Sequence, residues 1–401
     1  MKPSGRYYII VLMKKRTAIL LAAALVLSLS ACSAKPEVSL PEPDSLPEPD
    51  YVTPTAAPEP TAAPTSEPTP EPTPADEYFV ISMVGDCTLA SSQRENVFET
   101  IIGGDMSRPF SGTRQYFEDD YLTIANLECS LSDEPLSGSS TFQFCGDAGN
   151  AEMLVLGGVD FVTLGNNHTM DFGQTGLDNT KAALEEYGVA YGAPGASCIY
   201  EADGGITVGL YAAPWLATQA QVTSAVSALA ANPDVDLVIA LMHWGDEGSY
   251  RAGANQTALG QAAVNAGADI VYGSHPHVLQ PIVEYNGGWI VCSLGNYVFG
   301  GNTNPRDKDT AIVQFTVKRA VDGTVTVEGW EAVPCRVSSV TNYNDFCPTP
   351  YEEGSEDYER VMSKLNGTFT GPDLDIDYSE YEDENAAAGA SPGAAATEEA
   401  E

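Results

Sequence analysis

The fold is decided by a stretch in the second half of the chain, residues 256–277, which reads QTALGQAAVNAGADIVYGSHPH. Residues 256–266 have the spacing of a helix, and residues 269–272 form a short apolar run rich in strand formers. Polar residues replace apolar ones where this run ends, at Gly273, Ser274 and His275. A helix followed at once by a buried strand is typical of an α/β fold.

The same alternation extends outward over most of the chain. Further strands are predicted at residues 78–84, 121–127, 159–164, 206–212 and 237–242. Further helices are predicted at residues 174–187 and 219–231. Two hairpins are predicted around the turn sequences Asn286-Gly287 and Asp322-Gly323. Because hairpin strands are antiparallel, we predict an α/β fold in layers, with mixed β-sheets flanked by helices.

The N-terminus has the pattern of an export signal. Lys14, Lys15 and Arg16 precede an apolar run at residues 17–31, and Cys32 follows directly. A run of this length is shorter than the roughly 18–20 residues that span a bilayer. Small residues followed by Cys32 resemble the lipobox of bacterial lipoproteins, which implies cleavage before Cys32 and a lipid anchor on it. An uncleaved anchor or a soluble secreted form is the alternative, and each places the protein outside the cytoplasm.

Composition divides the rest of the chain into three parts. Residues 33–77 form a linker rich in Pro, Thr and Glu, since 13 of the 27 prolines lie between Pro36 and Pro74, and we expect it to be disordered and extended. Residues 78–340 are the predicted globular domain. Residues 341–401 are predicted to be an acidic, mostly disordered tail in which residues 358–365 favour one helix.

Charge and cysteine content limit the possible partners and covalent links. The chain has 56 acidic against 18 basic residues, a formal net charge of −38, which argues against nucleic acid as a partner. Seven cysteines remain after Cys32, and export permits disulfides. Cys335 and Cys347 are the pair that we would choose for a bridge.

Residues able to bind a metal follow the predicted strands, at the edge where α/β sheets bind ligands. They are Asp86, Glu128, Asn167, His168, His243, His275 and His277. A single histidine beside a strand is usually a capping or core residue, but all four histidines of the chain occur here. Carboxylates, imidazoles and an amide oxygen suit divalent metal ions, with Mn, Zn, Fe and Mg left open. Gly85, Gly165 and Gly273 are expected to let the backbone bend beside the site.

The motifs in this part of the chain resemble those of one family. They are Gly85-Asp86, Asn126-Leu127-Glu128, residues 165–173 (GNNHTMDFG), residues 243–247 (HWGDE), residues 273–278 (GSHPHV) and residues 293–296 (SLGN). Together they resemble the CapA family of capsule or poly-γ-glutamate biosynthesis proteins, over nearly all of residues 78–335. The resemblance implies a calcineurin-like metallophosphatase fold.

The resemblance also implies roles for the metal-binding residues. Asp86 and His277 correspond to ligands of a first metal. Asn167, His243 and His275 correspond to ligands of a second metal.

The resemblance also indicates a residue between the two metals, and one position differs from the usual metallophosphatase motif. Glu128 stands where metallophosphatases have a bridging aspartate. Thr88 stands where they usually have a histidine, so the first metal site lacks one imidazole.

Three further residues are assigned to the chemistry. His168 matches the histidine that stabilises charge or gives a proton to the leaving group. Asp171 either orients His168 or caps the helix that begins near Gln174. Glu247 is either a general base or a solvated loop residue. Trp244 is expected to pack in the core rather than to line the crevice.

Three functions remain open. The first is a metal-dependent hydrolase or transferase acting on an envelope polymer or its precursor. The second is a non-catalytic assembly or export factor, which the resemblance places beside membrane-bound polymer synthetase subunits. The third is a solute-binding lipoprotein, which the clustered histidines disfavour because an ordinary ligand pocket does not need them.

Overall fold

The computed structural model describes residues 7–11, 75–92, 97–138, 142–202 and 204–376. The lipidation residue Cys32, nearly all of the predicted signal and linker, and residues 377–401 lie outside the described residues. In the described ranges, no helix combines the length and the apolar composition that crossing a membrane requires.

Seventeen strands and six α-helices form the described part of the chain. The strands are β1 (Tyr7–Val11), β2 (Glu77–Thr88), β3 (Leu122–Leu127), β4 (Ser130–Leu131), β5 (Cys145–Gly146), β6 (Phe161–Thr163), β7 (Ala190–Gly192), β8 (Ala196–Glu201), β9 (Val208–Ala212), β10 (Leu237–His243), β11 (Ile270–Ser274), β12 (Ile282–Tyr285), β13 (Gly288–Val291), β14 (Asn296–Phe299), β15 (Asp309–Arg319), β16 (Val325–Arg336) and β17 (Thr349–Pro350). The helices are α1 (Val97–Ile102), α2 (Ala151–Gly157), α3 (Gly173–Tyr187), α4 (Gln219–Ala230), α5 (Ala254–Asn265) and α6 (Glu356–Leu365).

The strands form two mixed sheets and one small ribbon. The larger sheet has the order β17-β16-β15-β2-β3-β6-β7, and β14 also pairs with β2. Strands β2, β3, β6 and β7 are parallel, whereas β15 and β16 are antiparallel. The second sheet has the order β1-β8-β9-β10-β11-β13-β12, and β9, β10, β11 and β13 are parallel. Strands β4 and β5 form the ribbon.

The main core contains side chains from both sheets. Ile81 and Met83 of β2 share one apolar cluster with Ile239 and Leu241 of β10. Because successive strand residues point to opposite faces, Ala240 belongs instead to a cluster with α4. Full burial of each large aliphatic side chain contributes about 1.5–3 kcal/mol. The result is a layered arrangement of helices, two sheets and helices, which confirms the predicted layered α/β fold.

Helix α4 shows how local sequence supports these layers. Thr218 caps its first turn in a capping box with Gln221, which satisfies backbone N–H groups that the helix cannot. Val222, Val226 and Leu229 follow at helical spacing and are all fully buried. The helix therefore covers its sheet with one apolar stripe.

Strand β2 is longer than the sequence predicts, and the difference places Asp86 within the sheet. The predicted strand ends at residue 84, but β2 continues to Thr88. Asn296 of β14 pairs with Asp86, and Phe299 pairs with Thr88. Since β14 lies some two hundred residues later in the chain, local pattern cannot reveal this pairing.

The predicted boundary at residue 340 is too early, and the first part of the predicted tail is folded. Val361 and Leu365 of α6 are fully buried in the main core. Arg360 and Lys364 of the same helix form ion pairs with the buried carboxylate of Asp309. The helix agrees with the one favoured at residues 358–365, but its place in the domain was not predicted, because the partners that hold it lie in β15.

The proposed bridge between Cys335 and Cys347 is wrong. Both cysteines are free and buried. The Cys335 thiol donates to the carbonyl of Val333, whereas the Cys347 sulfur lies 3.3 Å from the Ser111 hydroxyl. Their spacing along the sequence does not bring the two sulfur atoms together.

Candidate metal centre

Strand ends from both sheets meet at one edge of the molecule. Asp86 lies near the end of β2, and Glu128 directly follows β3. His243 ends β10, and His275 directly follows β11. The fold therefore brings these four residues, which are distant in sequence, to one place.

The first group of potential ligands comprises Glu128, His243 and His275. One donor atom from each lies within 4.8 Å of the others, close to twice the usual distance from a metal to its ligand. The Glu128 Oε1 atom is 3.4 Å from the His243 Nε2 atom. Asn167 joins this group, since its Oδ1 atom lies 2.8 Å from the same imidazole nitrogen.

The second group comprises Asp86, Glu128 and His277, within the same distance limit. The Asp86 Oδ2 atom lies 3.3 Å from the His277 Nδ1 atom, and Asn296 Oδ1 lies 2.9 Å from that nitrogen. Glu128 belongs to both groups, so its carboxylate is placed to bridge two ions. The structure thus assembles the residues of both predicted metal sites, while the occupancy of those sites stays a prediction.

Glu247 lies beside the two ligand groups, which favours a role at the site over that of a solvated loop residue. It forms a third ligand-type group with His275 and His277. A carboxylate in this position can accept a proton or bind a cation.

Two asparagines, whose roles the sequence alone did not indicate, hold the carboxylates of Asp86 and Glu128 in position by hydrogen bonds. Asn126 donates to Asp86 Oδ1 at 2.9 Å and to Glu128 Oε2 at 3.3 Å. Asn166 donates in turn to Asn126 Oδ1 at 3.0 Å, which orients that amide. Both lie within the motifs quoted above, but only the folded geometry shows which groups they bind.

His168 stands beside the cluster and is oriented by Asp171. Its Nδ1 atom lies 2.8 Å from Asp171 Oδ2, and its Nε2 atom lies 4.0 Å from Glu128 Oε1. Helix α3 has Phe172 at its N-cap, and the contact between Asp171 and the His168 ring favours a role for Asp171 in orienting that ring. Burial opposes the charged imidazole, but the hydrogen bond to Asp171 and the Glu128 charge leave the pKa of His168 raised.

The other titratable groups divide into neutral and charged members. Burial, with repulsion from His243 and His277, holds the pKa of His275 well below its ordinary value. Burial also opposes charge on His277, but Glu128 and Asp86 raise its pKa to about 10. Burial raises the pKa of Asp86, yet the hydrogen bond and charge of His277 leave it lowered. A cation bound here would compete with the His277 proton.

Aromatic rings that the sequence did not single out shield three of the imidazoles. The Trp215 ring centroid lies 4.7 Å from that of His275. Phe144 contacts His168 at 4.8 Å, and Phe299 contacts His277 at 4.9 Å, each between ring centroids. Trp244, by contrast, is buried in the core and donates to the Cys292 carbonyl. Its predicted packing role agrees with this placement.

The loops at the site are held in unusual conformations. His275 has φ of 100° and His277 has φ of 55°, a region that costs a non-glycine residue energy. Gly85 and Gly165 have no positive φ, so they do not serve the site by adopting a left-handed conformation. They permit close approach instead, because a Cβ atom would lie 2.0 Å from the carbonyl oxygen of Gly295 or Ala213 respectively.

The buried polar atoms test whether these residues suit a cation. Glu128 Oε1 and His275 Nδ1 are both buried and have no hydrogen-bond partner in the described residues. A buried polar atom without a hydrogen bond costs about 1–3 kcal/mol, and a cation bound by Glu128 or His275 would offset such a cost. The donor set of carboxylate oxygens and imidazole nitrogens fits a divalent transition metal or Mg²⁺.

The fold and the site define a class of protein. Two mixed sheets flanked by helices, whose strand ends gather carboxylates, imidazoles and amide oxygens, are those of a layered α/β protein with a metal-type site. The chain also matches the family model described as "Bacterial capsule synthesis protein PGA_cap" over residues 80–197 and 200–301. It belongs to this family, and the resemblance to CapA proteins is confirmed.

Curated relatives carry names that agree with this family. The chain is 33% identical over 218 residues to "Capsule biosynthesis protein CapA" of Bacillus anthracis, covering 47% of this chain and 52% of that protein. It is 30% identical over 234 residues to "PGA biosynthesis protein CapA" of Bacillus subtilis (strain 168), covering 53% and 58% respectively. The matched region thus spans just over half the length of each relative.

Two solved structures show a more remote likeness. They are the NAD nucleotidase NadN of Haemophilus influenzae and the sulfate thiohydrolase SoxB of Thermus thermophilus in complex with glycerol. The first is 12% identical with a TM-score of 0.36, covering 78% of this chain and 60% of that one. The second is 11% identical with a TM-score of 0.35, covering 79% and 62%. Likeness at this level says nothing about what the chain acts on.

Proposed function

We propose that the chain is a lipid-anchored, extracytoplasmic hydrolase or transferase that uses a divalent metal in the biogenesis of a capsule-type polymer such as poly-γ-glutamate. Family membership supports the process, and the export pattern that ends at Cys32 supports the location. The observation that carries the metal assignment is the pair of buried atoms without a hydrogen bond, Glu128 Oε1 and His275 Nδ1, within a cluster of ligand-type residues. The partners of the protein would be the polymer, or a precursor of the polymer, and membrane-bound synthetase subunits.

The chemistry follows from what each side chain can do. A bound divalent cation supplies polarisation of a phosphoryl or carbonyl oxygen and activation of water. Burial opposes charge on His168, but Asp171 and Glu128 raise its pKa, and a protonated imidazole can give a proton to a leaving group. Asp171 keeps that ring in position. Glu247, which lies with His275 and His277, can accept a proton.

A non-catalytic assembly factor is the second candidate, and one observation favours it. Thr88 stands where metallophosphatases usually have a histidine, and its hydroxyl donates to the Glu128 carbonyl at 3.1 Å. It therefore stabilises the backbone beside the cluster rather than offering an imidazole. A first metal site that lacks one ligand favours a structural role over catalysis by two metal ions.

Substitution of His168 separates the two candidates. We expect His168→Ala to lower hydrolysis of the probe methyl phenyl phosphate by about 10²–10⁴-fold, because its basic phenolate leaving group needs a proton and a general acid contributes that much. Asp171→Asn should lower it less. The exposed helix residue Asp178 offers a matched control, Asp178→Asn, which should leave the rate unchanged.

The same variants are tested in a capsule-deficient strain. A catalytic role predicts that His168→Ala fails to restore the polymer, whereas Asp178→Asn restores it. Two results together would instead establish the assembly role. They are full restoration of the polymer by His168→Ala and the absence of phosphodiester hydrolysis by the wild-type protein.

The lipid anchor is tested by Cys32→Ser. We expect the wild type to sediment with membranes and to need detergent for release, because a diacylated cysteine buries two acyl chains. The variant should move to the soluble or secreted fraction. Cys145→Ser makes the same chemical change within the domain and should stay with the membrane. Retention of Cys32→Ser on the membrane would point to an uncleaved anchor.

A further inference from the structure

The chain that follows α6 returns to the candidate metal centre and lines part of the cleft beside it. A cleft of about 400 Å³ lies beside His275. It is lined by Gly245, Asp246, Glu247, His275, Leu374 and Ile376. Residues 369–376, here called the C-terminal strap, thus contribute the two aliphatic side chains of a cleft that is otherwise polar.

Specific contacts hold the strap against the loop that carries Glu247. Leu374 donates its backbone N–H to the Gly248 carbonyl at 2.9 Å. Asp373 Oδ1 accepts from the Tyr250 backbone N–H at 2.9 Å and from the Arg251 guanidinium at 2.6 Å. The strap is therefore held at Asp373 and at Leu374 to the loop that follows β10.

Further contacts anchor the strap at both ends. The Phe369 ring lies 4.8 Å from the Tyr250 ring, between centroids. Arg251 also donates to the Gly371 carbonyl at 2.6 Å, and Arg306 donates to the Asp375 carbonyl. Contacts along its whole length favour a fixed wall over a loosely attached end.

The loop is also shaped to receive the strap. Gly248 has φ of 74°, and a Cβ atom there would lie 2.9 Å from Leu374 Cβ and 3.0 Å from Ile376 Cγ1. A larger residue at this position would push the strap out of the cleft. The absence of a side chain at Gly248 thus allows Leu374 and Ile376 to reach the space beside His275.

We infer that the C-terminal strap determines specificity, with Leu374 and Ile376 receiving an uncharged apolar group attached to the reacting phosphoryl or carbonyl group. This inference rests on the proposed function, since it assumes an anionic or polarisable group bound at the cluster. Asp246 and Glu247 line the same cleft, so charges on an extended polyanion would be repelled there. The geometry favours a substrate with one short apolar arm over the middle of a polyanionic chain.

Binding of two phosphonates to the full-length, Mn²⁺-loaded protein tests the inference without requiring turnover. Phenylphosphonate has an apolar arm, whereas methylphosphonate has almost none. We expect wild type to bind phenylphosphonate about tenfold more tightly, as is usual for one apolar group in a pocket. Leu374→Ala with Ile376→Ala should bring the two dissociation constants close together and leave that of methylphosphonate unchanged.

Two further variants guard against loss of structure. Asp373→Ala removes the carboxylate that pins the strap and should reduce the preference without altering a lining residue. Val321→Ala truncates an exposed aliphatic residue in the turn between β15 and β16 and should keep the full preference. Unfolding temperatures and metal content are measured for every variant.

The outcomes distinguish this inference from the proposed function. Metal-loaded wild type that binds both phosphonates equally, or binds neither, overturns the inference alone. A preference that survives in the Leu374 and Ile376 variant overturns it as well. Wild-type protein that takes up no metal contradicts the proposed function itself, and the inference falls with it.

Discussion

Replacing His243 or His277 by alanine should strip the purified protein of its divalent metal. Each imidazole lies in a different ligand group, and the two groups share Glu128. Loss of a residue that hydrogen-bonds to a metal ligand typically weakens metal binding 10–100-fold. Loss of a ligand itself should therefore weaken metal binding by at least about 100-fold. Elemental analysis of wild type and both variants, purified in parallel without chelator, measures the change.

The matched control for these variants is a pair of glutamates, because all four histidines of the sequence lie at the cluster. Glu128→Gln removes the charge shared by both groups and should also abolish stable binding. Glu328→Gln makes the same change on the exposed face of β16 and should bind metal like wild type. Equal metal in all of these proteins would refute the assignment of the site.

Replacing Asp309 by alanine should cause a large loss of stability, because its carboxylate joins two cations of α6 to β15. The carboxylate accepts from Arg360 at 2.6 and 2.8 Å and from Lys364 at 2.8 Å. Lys364 is only 2% exposed, so its charge would be left buried with Asp307 as its remaining partner. Breaking such a buried pair typically costs about 3–5 kcal/mol, which unfolding in denaturant would measure.

The pH dependence of that loss has a definite sign. Burial raises the pKa of Asp309, but Arg360 and Lys364 outweigh burial and hold it below its ordinary value. A carboxyl group whose pKa is lowered by folding stabilises the protein above its unfolded pKa, near about 3.9. The difference between wild type and Asp309→Ala should therefore be full above about pH 5 and shrink as the pH falls through the folded pKa.

An exposed aspartate provides the comparison for Asp309. Asp178 lies on the surface of α3, 3.6 Å from Lys181, and exposed pairs of this kind contribute about 0–1 kcal/mol. Asp178→Ala should change the free energy of unfolding by no more than that at any pH. A similar small effect from Asp309→Ala would show that α6 is not held by this ion network.

Much of the fold was predictable because it depends on local pattern. The helix predicted at residues 174–187 is observed as Gly173–Tyr187, and the strand predicted at 237–242 as Leu237–His243. Apolar residues recur there with the period of the element. Strand β14 and the extension of β2 were not predicted, because they stabilise each other across a long separation in sequence.

The same division applies to the candidate site. Residue type and position after strands were enough to single out the histidines and carboxylates. Sequence did not indicate that Asn126 holds two carboxylates, that Trp215 contacts His275, or that Leu374 reaches the cleft. None of these residues stands in a pattern of its own, and each acquires its role from a neighbour brought close by folding.

The sequence by itself determined the alternation of strands and helices, the acidic character and the kinds of ligand available, since these depend on composition and on neighbouring residues. The tertiary structure decided which oxygen and nitrogen atoms share one space, which of them lack partners, and that the strap after α6 borders them. These features depend on contacts between residues far apart in the chain, and only the packing of the two sheets fixes such distances.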